Sequence, residues 1–343
     1  MKTQLGSMVT FESGDITEEE AALYDRQIRL WGLDAQKRLR SARVLLIHMG
    51  GLGAEVAKNL ILAGVKSLTM LDPNPVTSSE ASCQFFVPAG QIGANRAEVS
   101  VERAQRLNPM VSVTAEKTPS TELTEEQVAR YDVLVATGCP DSELTRLNAL
   151  CRRRGVLFLA GDVYGFYGFM FADLGRHEFA EEVPVLARPG GEPAQKRPRT
   201  EQPESRTVKR TLQFTPLEDA LGVDWNAEDR RKTLRRTSDV YFIMRVLQAF
   251  RAEEGRRPLA TSADTDAARL LALRDSLKGL PTDKVGDAFT SRCLGELSPA
   301  CAVVGGVLAQ EVIKAVSQKD KPLSNFFLFD GYNSEGVVET IAA

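Results

Sequence analysis

RVLLIHMGGLGAEVAKNLILAGVKSLTMLD, residues 43 to 72, has the layout of a nucleotide-binding βαβ unit. Val44 to Ile47 is an apolar run of strand length; Gly50, Gly51 and Gly53 mark a turn into a helix, and a second strand ends at Asp72, where a ribose-binding carboxylate is expected. A working loop needs one glycine for the tight turn, one for the approach of backbone to phosphate, and one for packing the helix on the strand. In a full G-x-G-G-x-G pattern the opening glycine falls at position 48, which is His48. The packing glycine is retained, whereas the phosphate-approach geometry is degraded. Glycines also serve ordinary buried βα turns. The spacing to Asp72 therefore supports the fold, and bound nucleotide does not follow from it.

Composition bounds the rest. The chain has 343 residues, 43% hydrophobic and 26% charged, enough for about two domains on a prior of ~150 residues each. A net charge of −3 and a pI near 5.7 provide no global attraction to nucleic acid or an anionic membrane. No run of about 18 apolar residues and no apolar signal core in MKTQLGSMVTFESGD are evident, so a soluble intracellular protein is expected. The five cysteines, Cys83, Cys139, Cys151, Cys293 and Cys301, contain no C-x-x-C pair, and with only His48 and His177 no metal cluster is indicated.

Outward from the βαβ unit, Ile16 to Arg40 reads as a helix opened by a Thr17/Glu20 capping box. Downstream, a helix over Asn95 to Leu107 and another over Ser142 to Arg153 alternate with strands at Val111 to Thr114, Asp132 to Ala136 and Val156 to Ala160. Such alternation predicts an α/β, Rossmann-like domain: a largely parallel sheet with helices on both faces. Tyr164 to Leu174 reads as an added strand pair.

The pattern then changes. Pro184 to Lys209 is rich in Pro, Gly and charge and is expected to be a flexible loop, and Trp225 to Gly255 has helical apolar spacing at Tyr241, Met244, Leu247, Ala249 and Phe250. Ser298 to Gly331 reads as a buried helix followed by a strand. The expected organisation is a flexible N-terminus at 1–15, the first part of the α/β domain at 16–178, a small mostly helical insertion at 179–288, and completion of the domain with a C-terminal strand at 289–343.

Three tracts read together carry a resemblance. Tyr24-Asp25-Arg26-Gln27-Ile28-Arg29-Leu30-Trp31-Gly32, the loop Gly50-Gly51-Leu52-Gly53 with Asn59 to Gly64, and Ala302 to Gly306 with Ala309-Gln310-Glu311 resemble the ThiF/MoeB-type adenylation fold of ubiquitin-like-modifier activating enzymes. Within that family the chain looks most like the smaller, non-catalytic halves of the heterodimers that activate SUMO. The likeness runs from Ile16 to Gly331.

Competent members carry Asp at the end of the second strand, then Asn-Leu-Asn-Arg-Gln-Phe, then a Lys, and later an Asp that helps hold magnesium. Asp72, Gln84 and Phe85 match, but Glu80 to Cys83 replace the two Asn and the Arg, Arg96 stands for the Lys, and Gly138 falls at the metal Asp. Adenylyl transfer depends on cations and fixed donors around the triphosphate. The resemblance thus implies a degenerate pocket (His48, Gly50, Gly51, Gly53, Asp72) with no cofactor or metal of its own, ATP and Mg being held by a larger catalytic subunit. It also implies no thioester cysteine, since 179–288 contains none. The remaining cysteines read as buried packing residues.

What such a half contributes, by the same resemblance, is Arg26, presented in trans to the partner's ATP as an arginine finger. Read without it, Arg26 pairs with Glu19 or Glu20 on the helix surface. Arg29, Trp31, Val304 and Gln310 are expected at the subunit interface, Arg29 and Trp31 with a core role as the alternative. Lys196, Arg197 and Arg199 form a basic cluster that fits nuclear import or a merely solvated run, so a nuclear and partly cytoplasmic protein is expected. Expected partners are the larger subunit and, through the complex, SUMO, with neither nucleic acid nor membrane. The rival readings are an adenylating homodimer, a subunit serving another modifier, a pure adaptor, and a nicotinamide dehydrogenase, which has Asp72 in its favour but no catalytic His, Lys or Tyr constellation.

Overall fold

Val44 to Ile47 are fully buried and alternate between two apolar layers: Val44 and Leu46 join one, Leu45 and Ile47 the other. A strand covered on both faces in this way becomes the centre of a sheet. The structure is a computed structural model that describes residues 17–78, 80–184 and 205–342.

Three short helices lead in, α1 (Glu18–Leu23), α2 (Asp25–Trp31) and α3 (Leu33–Ser41). The single helix expected over Ile16 to Arg40 is thus broken twice, at Tyr24 and at Gly32, whose φ of +91° suits glycine. The capping box is formed: Thr17 Oγ1 accepts from Glu20 N, and Glu20 Oε2 accepts from Thr17 N at 2.9 Å.

The alternating region follows as β1 (Arg43–Ile47), α4 (Gly51–Ala63), β2 (Ser67–Leu71), α5 (Glu80–Cys83), α6 (Arg96–Gln105), β3 (Ser112–Glu116), α7 (Glu125–Val128), β4 (Val133–Thr137), α8 (Asp141–Arg154) and β5 (Leu157–Tyr164). Next come β6 (Tyr167–Asp173), β7 (Arg176–Pro184) and β8 (Ser205–Gln213). Helices α9 (Leu217–Leu221), α10 (Arg231–Arg236), α11 (Asp239–Glu254), α12 (Ala263–Ser276) and α13 (Ser298–Ser317), with β9 (Phe326–Asp330) and β10 (Glu335–Glu339), complete the chain.

The main sheet has the order β10-β9-β6-β5-β4-β1-β2-β3. Its β5-β4-β1-β2-β3 part is parallel and its β10-β9-β6 part antiparallel. Tyr164 to Leu174 is not a strand pair of its own: it is the end of β5, a turn at Gly165 and Phe166, and then β6. The loop expected at 184–209 is shorter than its composition suggests, because Ser205 to Lys209 already pair in β8 with β7.

Helix α13 packs against α4 so closely that a Cβ on Gly305 would lie 2.7 Å from Glu55 Cβ. By length and hydropathy α13 could cross a membrane, yet 67% of its apolar window is buried inside the fold. The opposite face of the sheet is closed by α8, α11 and α12, and Trp225 packs edge-on against Tyr241 and Phe242. Helices α11 and α12, from the 179–288 segment, therefore share the second layer of the sheet with α8.

Gly53 tests this packing. A Cβ there would sit 2.2 Å from the His48 carbonyl oxygen. Glycine to alanine inside a helix ordinarily stabilises by up to about 1 kcal/mol. Here the sign should reverse, with Gly53→Ala costing about 2 kcal/mol or more in urea unfolding because backbone must shift.

Candidate functional site

The connections leaving β1 and β4 run in opposite directions, and the crevice at the ends of these strands is where a doubly wound sheet binds its ligand. It holds a cavity of about 230 Å³ lined in part by His48, Gly50, Arg96, Gly138, Arg257 and Glu296. Small-molecule sites are usually larger, roughly 300–1,000 Å³.

His48 takes a φ of +65°, the conformation an opening glycine would adopt without strain. Helix α4 begins at Gly51 without a side-chain cap from its N-cap residue, Gly50. Its first amides are bonded instead by a carboxylate from 245 residues away: Glu296 Oε2 accepts from Gly51 N at 3.1 Å and Oε1 from Leu52 N at 3.4 Å. A helix N-terminus favours negative charge, and Glu296 lies where a phosphate would bind.

Three carboxylates at the crevice, Glu296, Asp162 and Asp72, each have a guanidinium. Arg257 Nη1 stands 3.2 Å from Glu296 Oε2, while its Nη2 donates to Asp162 Oδ1. Arg251 Nη1 donates to Asp162 Oδ2 at 2.8 Å. On the other side, Asp72 accepts from Arg96 Nε at 2.6 Å, Met49 N at 2.7 Å and Asn74 N at 3.0 Å. Burial alone would push the Asp72 carboxyl up; Arg96, His48 and the backbone amide outweigh it and hold the group below its ordinary value. Burial, reinforced by Arg96 and Arg251 against the pull of Asp72, holds His48 below its ordinary value. Three arginines thus meet three carboxylates, without surplus positive charge for a polyanion.

A nucleoside triphosphate with magnesium does not fit this donor set. The anion position is filled by Glu296, the oxygens of Asp72 are engaged, and at Gly138, where a metal carboxylate would sit, a Cβ would lie 2.8 Å from Arg257 Nη2. Among the described residues no group of three or more His, Cys, Asp or Glu could hold a metal ion.

Other expected residues are scattered. Arg26 is exposed on α2 and makes no hydrogen bond or ion pair among the described residues. Glu20, considered as its partner, pairs with Arg40 at 2.8 Å. Next to Arg26, Gln27 Nε2 donates to Leu62 O at the far end of α4. At 1.5 Å per residue, that contact lies roughly 18 Å along α4 from Gly50. Arg29 is exposed and paired with Asp25; Trp31 is partly buried and donates to Gln36 Oε1 at 3.1 Å. Val304 is not an interface residue: it is fully buried against Gly168 in the core, whereas Gln310 faces outward.

Gln84 is buried and bonded to Ser100, and Phe85 lies exposed under Lys58. Cys139, Cys151, Cys293 and Cys301 are buried, and burial pushes the Cys83 thiol up to about 11. Lys196, Arg197 and Arg199 lie outside the described residues.

The sheet and crevice define a doubly wound, largely parallel α/β protein with its crevice at the switch point of the strand order. The crystal structure of E. coli MccB with succinimide superposes with a TM-score of 0.52 at 13% identity, covering 93% of this chain and 71% of that one, which is a likeness of fold. The ThiF family model matches residues 24–343. SUMO-activating enzyme subunit 1 of Xenopus laevis is 48% identical, covering 98% of this chain and 100% of the relative. The Homo sapiens protein of that name is 46% identical over 96% and 97%, and the Danio rerio one 47% over 96% and 98%. The chain belongs to the ThiF family and, within it, to the group these subunits form.

Sequence reading located His48, the glycines, Asp72, Arg96 and Gly138, but missed Glu296, Arg251, Arg257 and Asp162. Their partners are remote in the chain and no local motif marks them; only the acidic residue just before α13 was available as a signal.

Arg96→Ala tests the charge balance. Asp72 now contributes stability above its unfolded pKa, and this is lost as pH falls through its lower folded pKa. Without Arg96 the carboxylate is buried and unpaired, so unfolding at pH 7 should be easier by about 3–5 kcal/mol. With burial then dominating, the Asp72 pKa rises, and the penalty should shrink in urea titrations as pH is lowered.

Proposed function

We propose that this chain is the non-catalytic half of a heterodimer that activates SUMO. A larger catalytic subunit adenylates the modifier's C-terminal carboxylate with ATP and magnesium, releases pyrophosphate, and takes the product onto its own cysteine. This chain contributes Arg26 across the interface and a rigid scaffold. The names of its near relatives support the modifier and the existence of a second subunit.

The position of Arg26 carries the reading. It is an exposed, unpaired guanidinium on the side of α4 remote from the chain's own crevice, so its charge is available to a phosphate held by another molecule. Leu30, Leu23 and Leu33 stand 72%, 56% and 46% exposed around the same short helices, an apolar surface suited to a subunit contact. The cluster Lys196, Arg197 and Arg199 supports nuclear import.

ATP–pyrophosphate exchange separates this reading from its rivals. The isolated chain should be silent and the mixture with the catalytic subunit active. Arg26→Ala in the mixture should reduce turnover by about 10³-fold, with the complex intact on gel filtration. Exchange by the chain alone would favour an adenylating homodimer, a harmless Arg26→Ala would favour an adaptor, and transfer of a different modifier would reassign the substrate.

Leu30→Asp should leave the melting temperature of the isolated chain unchanged, because the side chain is mostly in solvent. It should reduce copurification with the catalytic subunit; undiminished assembly would remove this surface from the interface.

A further inference from the structure

We infer that the phosphate position of the glycine loop is closed by an internal ligand, the Glu296 carboxylate, and that removing this carboxylate opens a site for inorganic phosphate groups. This inference goes beyond the assignment of the modifier and does not depend on it.

The two oxygens of Glu296 are shared between the amides of Gly51 and Leu52. A phosphate at a helix N-terminus uses the same donors and the same dipole. The side chain is only 5% exposed, so this is a seated group rather than a passing contact. Arg257 fixes it from the crevice side, and Asp162 in turn holds Arg257 and Arg251. The preceding residue is anchored too: Gly295 O accepts from Gly165 N at 2.7 Å, tying the loop before α13 to the β5–β6 turn. Arg257 Nε is buried with no hydrogen-bond partner among the described residues, a donor left over beside the carboxylate.

A loop that had merely lost affinity would leave its amides open to solvent. Here they are satisfied, and a tethered anion competes with any diffusing one at very high effective concentration. Loss of Glu296 leaves two orphan amides and frees Arg257 Nη1, while Nη2 stays on Asp162; the freed donors are the elements of an anion site.

Pyrophosphate is the probe, added to the full chain without its catalytic subunit and read by calorimetry and thermal shift. Wild type should be indifferent. Glu296→Ala should bind at least about tenfold more tightly than wild type, two freed amide donors and the freed Arg257 Nη1 being worth that factor or more. Equal binding by both proteins, or a folded Glu296→Ala that ignores pyrophosphate, would overturn the inference.

Should the alanine variant not fold, hydrogen exchange on wild type and Glu296→Gln gives a separate answer. The Gly51 and Leu52 amides should exchange slowly in wild type and faster in the glutamine variant, whose neutral oxygen is a weaker acceptor. Rapid exchange in wild type, or rates unchanged by the substitution, would show the loop to be open. None of these readings involves Arg26 or ATP–pyrophosphate exchange, so failure here and failure of the proposed function are distinguishable.

Discussion

A buried carboxylate at the start of α4 is the constraint around which the crevice is organised. Glu296 brings a negative charge out of water, at a cost that geometry must offset: two amides, a helix dipole and one guanidinium do so. That guanidinium needs its second carboxylate, Asp162, which takes a second arginine, Arg251. The network joins β1–α4, β5, the end of α11, Arg257 after it and the loop before α13, segments that span most of the chain. It adds to the apolar packing of α11 and α12 on the sheet, since Arg251 and Arg257 close the crevice.

The parallel half of the sheet was legible because its signals are local. An apolar run, a glycine turn and a terminal Asp fix β1, α4 and β2, and helical periodicity fixes α8, α11 and α13. Readings that failed depended on context. The break at Gly32 follows from one positive φ inside an otherwise helical tract, and β8 begins within a segment whose charge and proline content predict a loop. Val304 sits in an apolar helix whose two sides look alike in sequence; packing against Gly168 decides which is buried.

The crevice divides in the same way. Losses can be read from a motif: His48, Arg96 and Gly138 each announce a missing glycine, lysine or carboxylate. Replacements cannot, because Glu296 meets Gly51 across 245 residues and Arg257 meets Asp162 across 95. Sequence therefore indicates an eroded pocket, whereas geometry describes one refilled with matched charge. The distinction matters physically, since an eroded anion site keeps unsatisfied amides and a refilled one does not.

Refilling also lets the chain's own side chains hold the crevice rigid. Internal carboxylates and arginines balance one another's charge across the glycine loop, β5 and the segment before α13. Rigidity of this kind is what a scaffold requires if it is to present one side chain to a neighbour. Helix α2 is tied to the C-terminal end of α4 through Gln27 and Leu62, and α4 is tied at its N-terminus to Glu296. The refilled crevice and the exposed Arg26 thus lie at opposite ends of one helix: the first fixes its start, and the second stands beside its end.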